Sequence, residues 1–495
     1  MISKLGLLLM FSTPLALASQ PVTWSLAGMW RVHDANDTAF NGASASDQGW
    51  RTLRVPANWY SAGYDHQGAL WYRHEFTLPE RAPDTMATLV FDGVDYFAGV
   101  TLNGKNLARH EGYFQRFSVD VTETLRRHNR LAVRVDSPRE DPKTIWPLHK
   151  TLFKGILNQH DTRPGGAWSE QGQDANSGGI WAPVKLHLSR GVTIDDVILR
   201  PDWREGLENP VLRADIRYRA QTHGPVTLRL SAAPDNFNGQ RIQQDFPVNL
   251  TKSDGQVQTL SVTLPMKGAR LWWPAGYGKP NLYRIRATLV DDQGVMDTAV
   301  TRTGLRKLEE QPDNKGWRIN DRRLFIKGSN YIGSPWLGTM TRDKYRQDFA
   351  LVEKMNANAI RVHGHVAGRA LYEVADEMGL MIWQDVPLQW GYDNSVAFAD
   401  NAVRQTRDMV EQFGNSPAII VWGGHNEPPW NSPWMEKRFP DWNKTLNQSL
   451  TQRVGDTLAE DSSRIVHRFS AVEEHYWAGW YFGTMRDLLA PAKTG

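Results

Sequence analysis

Glu427 stands out as a candidate acid because of what surrounds it. The apolar run Ala418–Trp422 reads as a buried strand, and Gly423-Gly424-His425-Asn426-Glu427 follows it directly. A carboxyl group at the end of such a strand projects into a partly desolvated cleft, which favours its protonated form. An acid poised in this way can protonate a departing oxygen. That is half of what cleavage of a glycosidic bond needs, the other half being a second carboxyl group that attacks the anomeric carbon or activates water. Asn426 could hydrogen-bond a sugar 2-hydroxyl, an interaction that tightens in an oxocarbenium-like transition state. On spacing alone, Asn426-Glu427-Pro428-Pro429 reads equally well as a plain turn.

Other strand ends carry polar groups too. One expected strand runs into Gly328-Ser329-Asn330-Tyr331, a second ends at Arg361-Val362-His363, and a third ends at Trp383-Gln384-Asp385. Asn330 and His363 are thereby candidate substrate contacts. Arg361 could orient a carboxylate in the cleft or form a structural ion pair inside the fold. Asp385 could hold sugar hydroxyls through its two oxygens, or cap the segment that follows it. Trp336, Trp383 and Trp390 lie near strand ends and could wall a sugar subsite, and core packing is the alternative for each. His363 and His365 stand two apart with no third ligand at a recognisable spacing, so no metal is expected.

Three stretches of different periodicity must position these residues. Residues 19–190 read as a jelly-roll β-sandwich, with strand-forming runs such as Thr88–Phe91 and Leu131–Val135 and a two-residue hairpin signal at Asn103-Gly104. Residues 191–303 hold shorter alternating runs at the spacing of an immunoglobulin-like β-sandwich. From 304 to 495 short apolar strands alternate with amphipathic helices, giving a multidomain β plus α/β chain. The expected strands are Leu324–Lys327, Ala359–Val362, Leu380–Trp383, Ala418–Trp422 and Arg464–Phe469. One helix carries Tyr345, Phe349, Val352 and Met355, and another carries Leu446, Leu450, Val454 and Leu458. Such strands number fewer than the eight that a (β/α)8 TIM barrel needs over about 250 residues. A doubly wound sheet is the alternative, but no Gly-rich phosphate turn follows the first strand. The expectation is an incomplete, truncated barrel, prone to aggregate through its two open sheet edges.

Composition narrows the function classes. The 495 residues hold 57 basic and 54 acidic side chains, a net charge of +3 that predicts neither nucleic acid nor an anionic membrane as partner. The 21 Trp suit either sugar faces or sandwich cores. Cysteine is absent, which excludes disulfides, thiolate metal sites, a Cys nucleophile and a lipid anchor on an N-terminal Cys. Residues 1–18 have the form of a signal peptide, with Lys4, the apolar run Leu5–Leu17 and a small-x-small site at Ala16-Leu17-Ala18. That run is too short and interrupted to span a bilayer. A secreted or periplasmic protein of bacterial type without a membrane anchor is expected.

Taken in order, several segments resemble glycoside hydrolase family 2, and its β-mannosidase-like and exo-β-glucosaminidase-like branch more than its β-galactosidases. They are Leu70-Trp71-Tyr72-Arg73, Val100–Gly104 and Gly178-Gly179-Ile180-Trp181, then Leu271-Trp272-Trp273-Pro274 with Gly276, Pro280 and Leu282-Tyr283. Gly304-Leu305-Arg306, Phe325–Gly328, Ile360-Arg361-Val362, Trp383-Gln384-Asp385 and Asn426-Glu427 complete the series. The resemblance implies a sugar-binding jelly roll, an immunoglobulin-like domain and a catalytic barrel, acting by a retaining double displacement without cofactor. It implies an exo-acting β-glycosidase whose partner is a β-linked oligosaccharide or glycoconjugate. The acid/base role falls on Glu427 and the 2-hydroxyl contact on Asn426. The family's nucleophile is a Glu after a seventh strand, which this chain does not reach. Glu473 and Glu474 follow only the fifth. His363 stands where the mannosidase-like pattern often has an aromatic residue, and β-galactosidase or β-glucuronidase specificity are the runners-up. A carbohydrate-binding protein without catalysis is the competing class.

Overall fold

The computed structural model describes residues 20–140, 148–157, 178–312, 316–334 and 336–470. The signal-peptide segment, residues 1–18, and Glu473 and Glu474 lie outside them.

The first unit is a sandwich of a four-stranded and a six-stranded antiparallel sheet. Strands such as His128–Ser137 alternate buried and accessible positions along much of their length. Their inward residues, with Trp30, Leu70, Tyr72 and Phe91, close one core. Asn103 and Gly104 both adopt left-handed backbone, φ 51° and 84°, and join Phe97–Leu102 to Lys105–Glu111. That is the two-residue hairpin the Asn-Gly pair predicts. The second unit packs Val192–Asp202, Val211–Ala220 and Gln258–Pro265 in one sheet. Its other sheet orders Ile242–Leu250, Gly224–Pro234, Tyr283–Asp291 and Gly294–Thr303. Ile216, Leu228, Leu230, Ile285 and Leu289 fill the space between them.

In the third unit five parallel strands lie side by side in chain order: Gly328–Tyr331, Ala359–Val362, Met381–Asp385, Ile419–Asn426 and Ile465–Ser470. Helices Arg342–Lys354, Arg369–Met378, Val396–Phe413 and Gln448–Ala459 lie in the connections between them. Gly379 ends the second of these helices at φ 73°, in the left-handed conformation that a side chain would strain. Together these features form the barrel domain that follows the two sandwiches.

The first strand departs from expectation. The run from Leu324 to Lys327 is not a barrel strand. Asn320 and Asp321 both take positive φ, 48° and 65°, and fold Trp317–Ile319 back on Arg322–Leu324 as a tight hairpin. The barrel strand therefore begins four residues later, at Gly328, which sits against the Ala359 carbonyl too closely to admit a Cβ. Met355 caps its helix and is 66 % exposed, and Leu446 precedes its helix.

The units share buried surface. The indole of Trp272, fully buried in the second unit, donates to the Asp376 carbonyl of the barrel at 2.9 Å. Buried Arg306 donates to the carbonyls of Pro417, Ile419 and Ser463. The hydroxyl of Tyr113, from the jelly roll, accepts from the Val366 amide at 2.6 Å.

Candidate active site

The fourth strand runs four residues past its apolar run and ends at Asn426, which puts Glu427 directly at its C-terminal edge. Catalytic groups of βα barrels occupy that edge. Asn426 is held from three sides. Its Oδ1 accepts from Arg361 Nη2 at 3.0 Å and from Ser470 Oγ at 2.8 Å, and its amide donates to the Leu388 carbonyl at 3.0 Å. Guanidinium groups only donate, so the bond to Arg361 fixes which end of the Asn426 amide is oxygen. Nδ2 is the end left to meet a ligand acceptor, and it has no protein partner among the described residues.

Arg361 and Asp385 form the buried floor of this arrangement. Arg361 Nε lies 3.1 and 2.9 Å from the two Asp385 oxygens. The same carboxylate meets His363 Nδ1 at 3.3 Å and accepts from the Gly364 amide at 3.1 Å. Burial opposes charge on Asp385, but the Arg361 guanidinium and His363 outweigh it and hold the carboxyl below its usual range. With its side chain 0 % exposed and its oxygens engaged, Asp385 ties the second strand to the third instead of offering acceptors to a sugar. Arg361 forms the internal ion pair with Asp385 and, through Nη2, also holds the Asn426 side chain.

Glu427 is half-buried and adopts left-handed backbone at φ 45°, its amide donating to the Ser470 carbonyl at 3.1 Å. Trp390 also has positive φ, 60°, and its indole N–H donates to Glu427 Oε2 at 2.8 Å. Such conformations are rare for bulky residues and concentrate where function demands a fixed geometry. His425, fully buried, lies behind this pair with Nε2 2.6 Å from the Trp390 carbonyl and Nδ1 2.8 Å from Thr451 Oγ1. Desolvation pushes its pKa down to about 3, so the ring is neutral and Nε2–H is the donor to that carbonyl.

The remaining candidates divide. Trp383 is half-buried with the Arg361 guanidinium 5.5 Å from its ring, and its buried indole N–H has no partner among the described residues. His363 is half-buried beside Asp385. Burial lowers the pKa of His365 to about 4, and its Nδ1–H donates to the His363 carbonyl at 2.9 Å. The two rings thus serve different partners, and among the described residues no three His, Asp or Glu side chains converge as a metal site would require. Asn330 is exposed on the first strand, in register with Arg361. Trp336 is not gathered into the cluster. Its ring stacks on Tyr60 of the jelly roll at 4.6 Å, and it shares no hydrogen bond or ring contact with the other candidates.

Sequence reasoning missed Lys150. It comes from the jelly roll, is fully buried, and donates from Nζ to the Gln389 carbonyl at 2.6 Å. Its ammonium lies 4.8 Å from the Tyr392 ring and 5.7 Å from that of Trp390. Nothing in its local sequence marks it, because its partners are more than two hundred positions away.

Comparison with known proteins agrees with this architecture. Three family models match in succession: the glycosyl hydrolase 2 galactose-binding domain-like model over 57–176, glycosyl hydrolases family 2 over 192–306, and the TIM barrel domain of that family over 313–478. β-Mannosidase B of Thermothelomyces thermophilus is 27 % identical over 393 residues, 72 % of this chain and 43 % of its own length. The crystal structure of β-D-mannosidase from Dictyoglomus thermophilum superposes with a TM-score of 0.73 at 24 % identity, covering 90 % of this chain and 57 % of that one. A Bacteroides uniformis β-glucuronidase gives 0.75 at 23 % identity, covering 95 % and 57 %. The chain spans about half the length of the curated relatives it matches. No helix among the described residues is long and apolar enough to cross a membrane. From the jelly roll through the barrel, the chain belongs to glycoside hydrolase family 2.

Proposed function

We propose that this chain carries the acid/base half of a retaining, exo-acting β-glycosidase that hydrolyses O-glycosidic bonds at non-reducing ends. The observation that carries the reading is the Asn426–Glu427 pair at the fourth strand's end, with the Asn426 side chain clamped by Arg361 and Ser470. In the first step Glu427 gives its proton to the glycosidic oxygen as the C1–O bond breaks, and a second carboxylate bonds to C1. In the second step Glu427, now ionised, takes a proton from the water that displaces that carboxylate. Asn426 Nδ2 serves the 2-hydroxyl oxygen throughout. The attacking carboxylate is to be sought outside the described residues. No cofactor enters these steps.

β-Mannosides are the first substrates to try, because the chain resembles proteins named β-mannosidase at 24–28 % identity. β-Glucuronides come second, after the glucuronidase neighbours of the fold. The signal-peptide form of residues 1–18 supports a mature protein in the periplasm or medium, where an oligosaccharide or glycoconjugate would be its substrate. The test is the full-length protein on a panel of nitrophenyl β-glycosides beside Glu427→Gln. Loss of general acid catalysis predicts a fall of about 10²–10⁴-fold on the preferred glycoside. Cleavage unaffected by the substitution, or sugar binding without any cleavage, overturns the proposal, and the latter outcome favours a carbohydrate-binding protein.

A further inference from the structure

We infer that Trp390 is the positioning residue of Glu427, fixing which carboxyl oxygen holds the transferable proton, and that Lys150 of the jelly roll locks Trp390 in place. The inference rests on Glu427 being the acid/base.

Its first support is the direction of one hydrogen bond. An indole N–H can only donate, so Glu427 Oε2, 2.8 Å away, must accept. In a protonated carboxyl group the carbonyl oxygen is the better acceptor. Oε2 therefore keeps carbonyl character and the proton resides on Oε1. This bond favours one rotational state of the Glu427 carboxyl group about its terminal bond, where such a group otherwise turns freely between two.

The second support is how firmly Trp390 is itself held. Its left-handed backbone, φ 60°, is costly for an indole side chain and persists only where surroundings dictate it. Its amide donates to the Asn426 carbonyl at 3.0 Å, the residue adjoining Glu427, and its carbonyl accepts from neutral His425. Trp390 is thus tied to the strand end twice, through its backbone to Asn426 and through its indole to Glu427. An ordinary subsite wall needs neither link.

The third is Lys150. Its amide pairs with the Gly391 carbonyl, its own carbonyl accepts from the Asp393 amide at 2.9 Å, and its ammonium holds the Gln389 carbonyl. It also lies over the rings of Trp390 and Tyr392. The loop that aims the indole is pinned from the jelly roll on both sides of Trp390.

The test compares Trp390→Phe, Lys150→Met and Glu427→Gln in the full-length protein. Two glycosides of one sugar are used, one with a dinitrophenyl leaving group that departs without a proton and one with an alkyl leaving group that requires it. Trp390→Phe keeps an aromatic face and removes the N–H donor together with part of the indole. Expected for it is a 10- to 100-fold fall in kcat/KM on the alkyl glycoside, of the order of a mispositioned general acid. On the dinitrophenyl glycoside it stays within about threefold of wild type, since that substrate needs no proton. Losing a donor to the carboxylate raises the pKa of Glu427, so the alkaline limb of the alkyl-glycoside profile moves up by about one pH unit. Lys150→Met shows the same leaving-group pattern at smaller amplitude. Equal losses on both glycosides through KM, with an unmoved alkaline limb, make Trp390 a sugar wall and overturn the inference. If Glu427→Gln itself shows no leaving-group dependence, the acid/base assignment has failed first.

Discussion

Replacing Arg361 by Met removes the cation from a carboxylate that cannot reach water. Asp385 is 0 % exposed and takes two of its hydrogen bonds from Arg361, at 2.9 and 3.1 Å. Removing one partner of a buried pair costs about 3–5 kcal/mol, because the remaining charge is left uncompensated. The Gly364 amide and His363 still face Asp385, which puts the expectation at the lower end, about 3 kcal/mol at pH 7. The pH dependence follows from the direction of the shift. In the native protein Asp385 is held below its usual range, so its stabilising contribution is present above the unfolded carboxylate value, about 3.9, and is lost as pH falls through the depressed one. Without Arg361, burial dominates and the folded-state pKa rises above the unfolded value. The folded variant then binds a proton more readily than the unfolded chain, so its deficit is largest at neutral pH and shrinks toward pH 5. Urea unfolding of the barrel transition at pH 7 and pH 5 measures this, and Arg361→Met/Asp385→Asn should recover part of the pH 7 loss. A deficit below about 1 kcal/mol, the scale of an exposed ion pair, or one that is equal at both pH values, refutes the reasoning.

Trp272→Phe keeps most of the ring volume but strips the indole N–H that donates to the Asp376 carbonyl, leaving that acceptor without this bond. It should lower barrel stability by about 1–3 kcal/mol in a thermal or urea melt, and an unchanged melt would mean that the inter-domain bond is dispensable. Export predicts a mature protein beginning near Ser19, and N-terminal sequencing of material from the periplasm or medium that still carries Lys4 would exclude cleavage after Ala18.

The β-sandwiches and parallel strands were legible because their signals are local. Asn103-Gly104 supplies the positive φ values a tight hairpin needs, and Ala359–Val362 is a short apolar strand whose limits coincide with those observed. The first barrel strand was misplaced for an equally local reason. Leu324 and Phe325 look like a strand, but the turn at Asn320-Asp321, a weaker hairpin signal than Asn-Gly, commits Leu324 to a hairpin instead. Glu427 and Asn426 were visible from strand-end logic, but the division of labour around them was not. No spacing rule states that Asp385 faces inward onto Arg361, that Trp336 turns away to Tyr60, or that Trp390 donates to Glu427. Those depend on side-chain direction at the ends of strands, where register can be read but rotamers cannot.

Lys150 shows why the site belongs to two domains rather than to the barrel alone. The barrel's hydrophobic cluster already includes Tyr96, Tyr113, Phe153 and Trp181 of the jelly roll and Trp272 of the second sandwich. Those contacts fix the jelly roll over the C-terminal edge of the parallel sheet, where Ile156 donates to the Gly364 carbonyl and Lys150 reaches the Trp390 loop. The polar contacts at that edge could not hold the domains together unaided, since each is worth only about 1 kcal/mol net. The apolar seam does the holding. This arrangement lets a few hydrogen bonds be used for aiming rather than for cohesion. The Trp390 loop, with its left-handed backbone at φ 60°, can then be held from the jelly roll through Lys150.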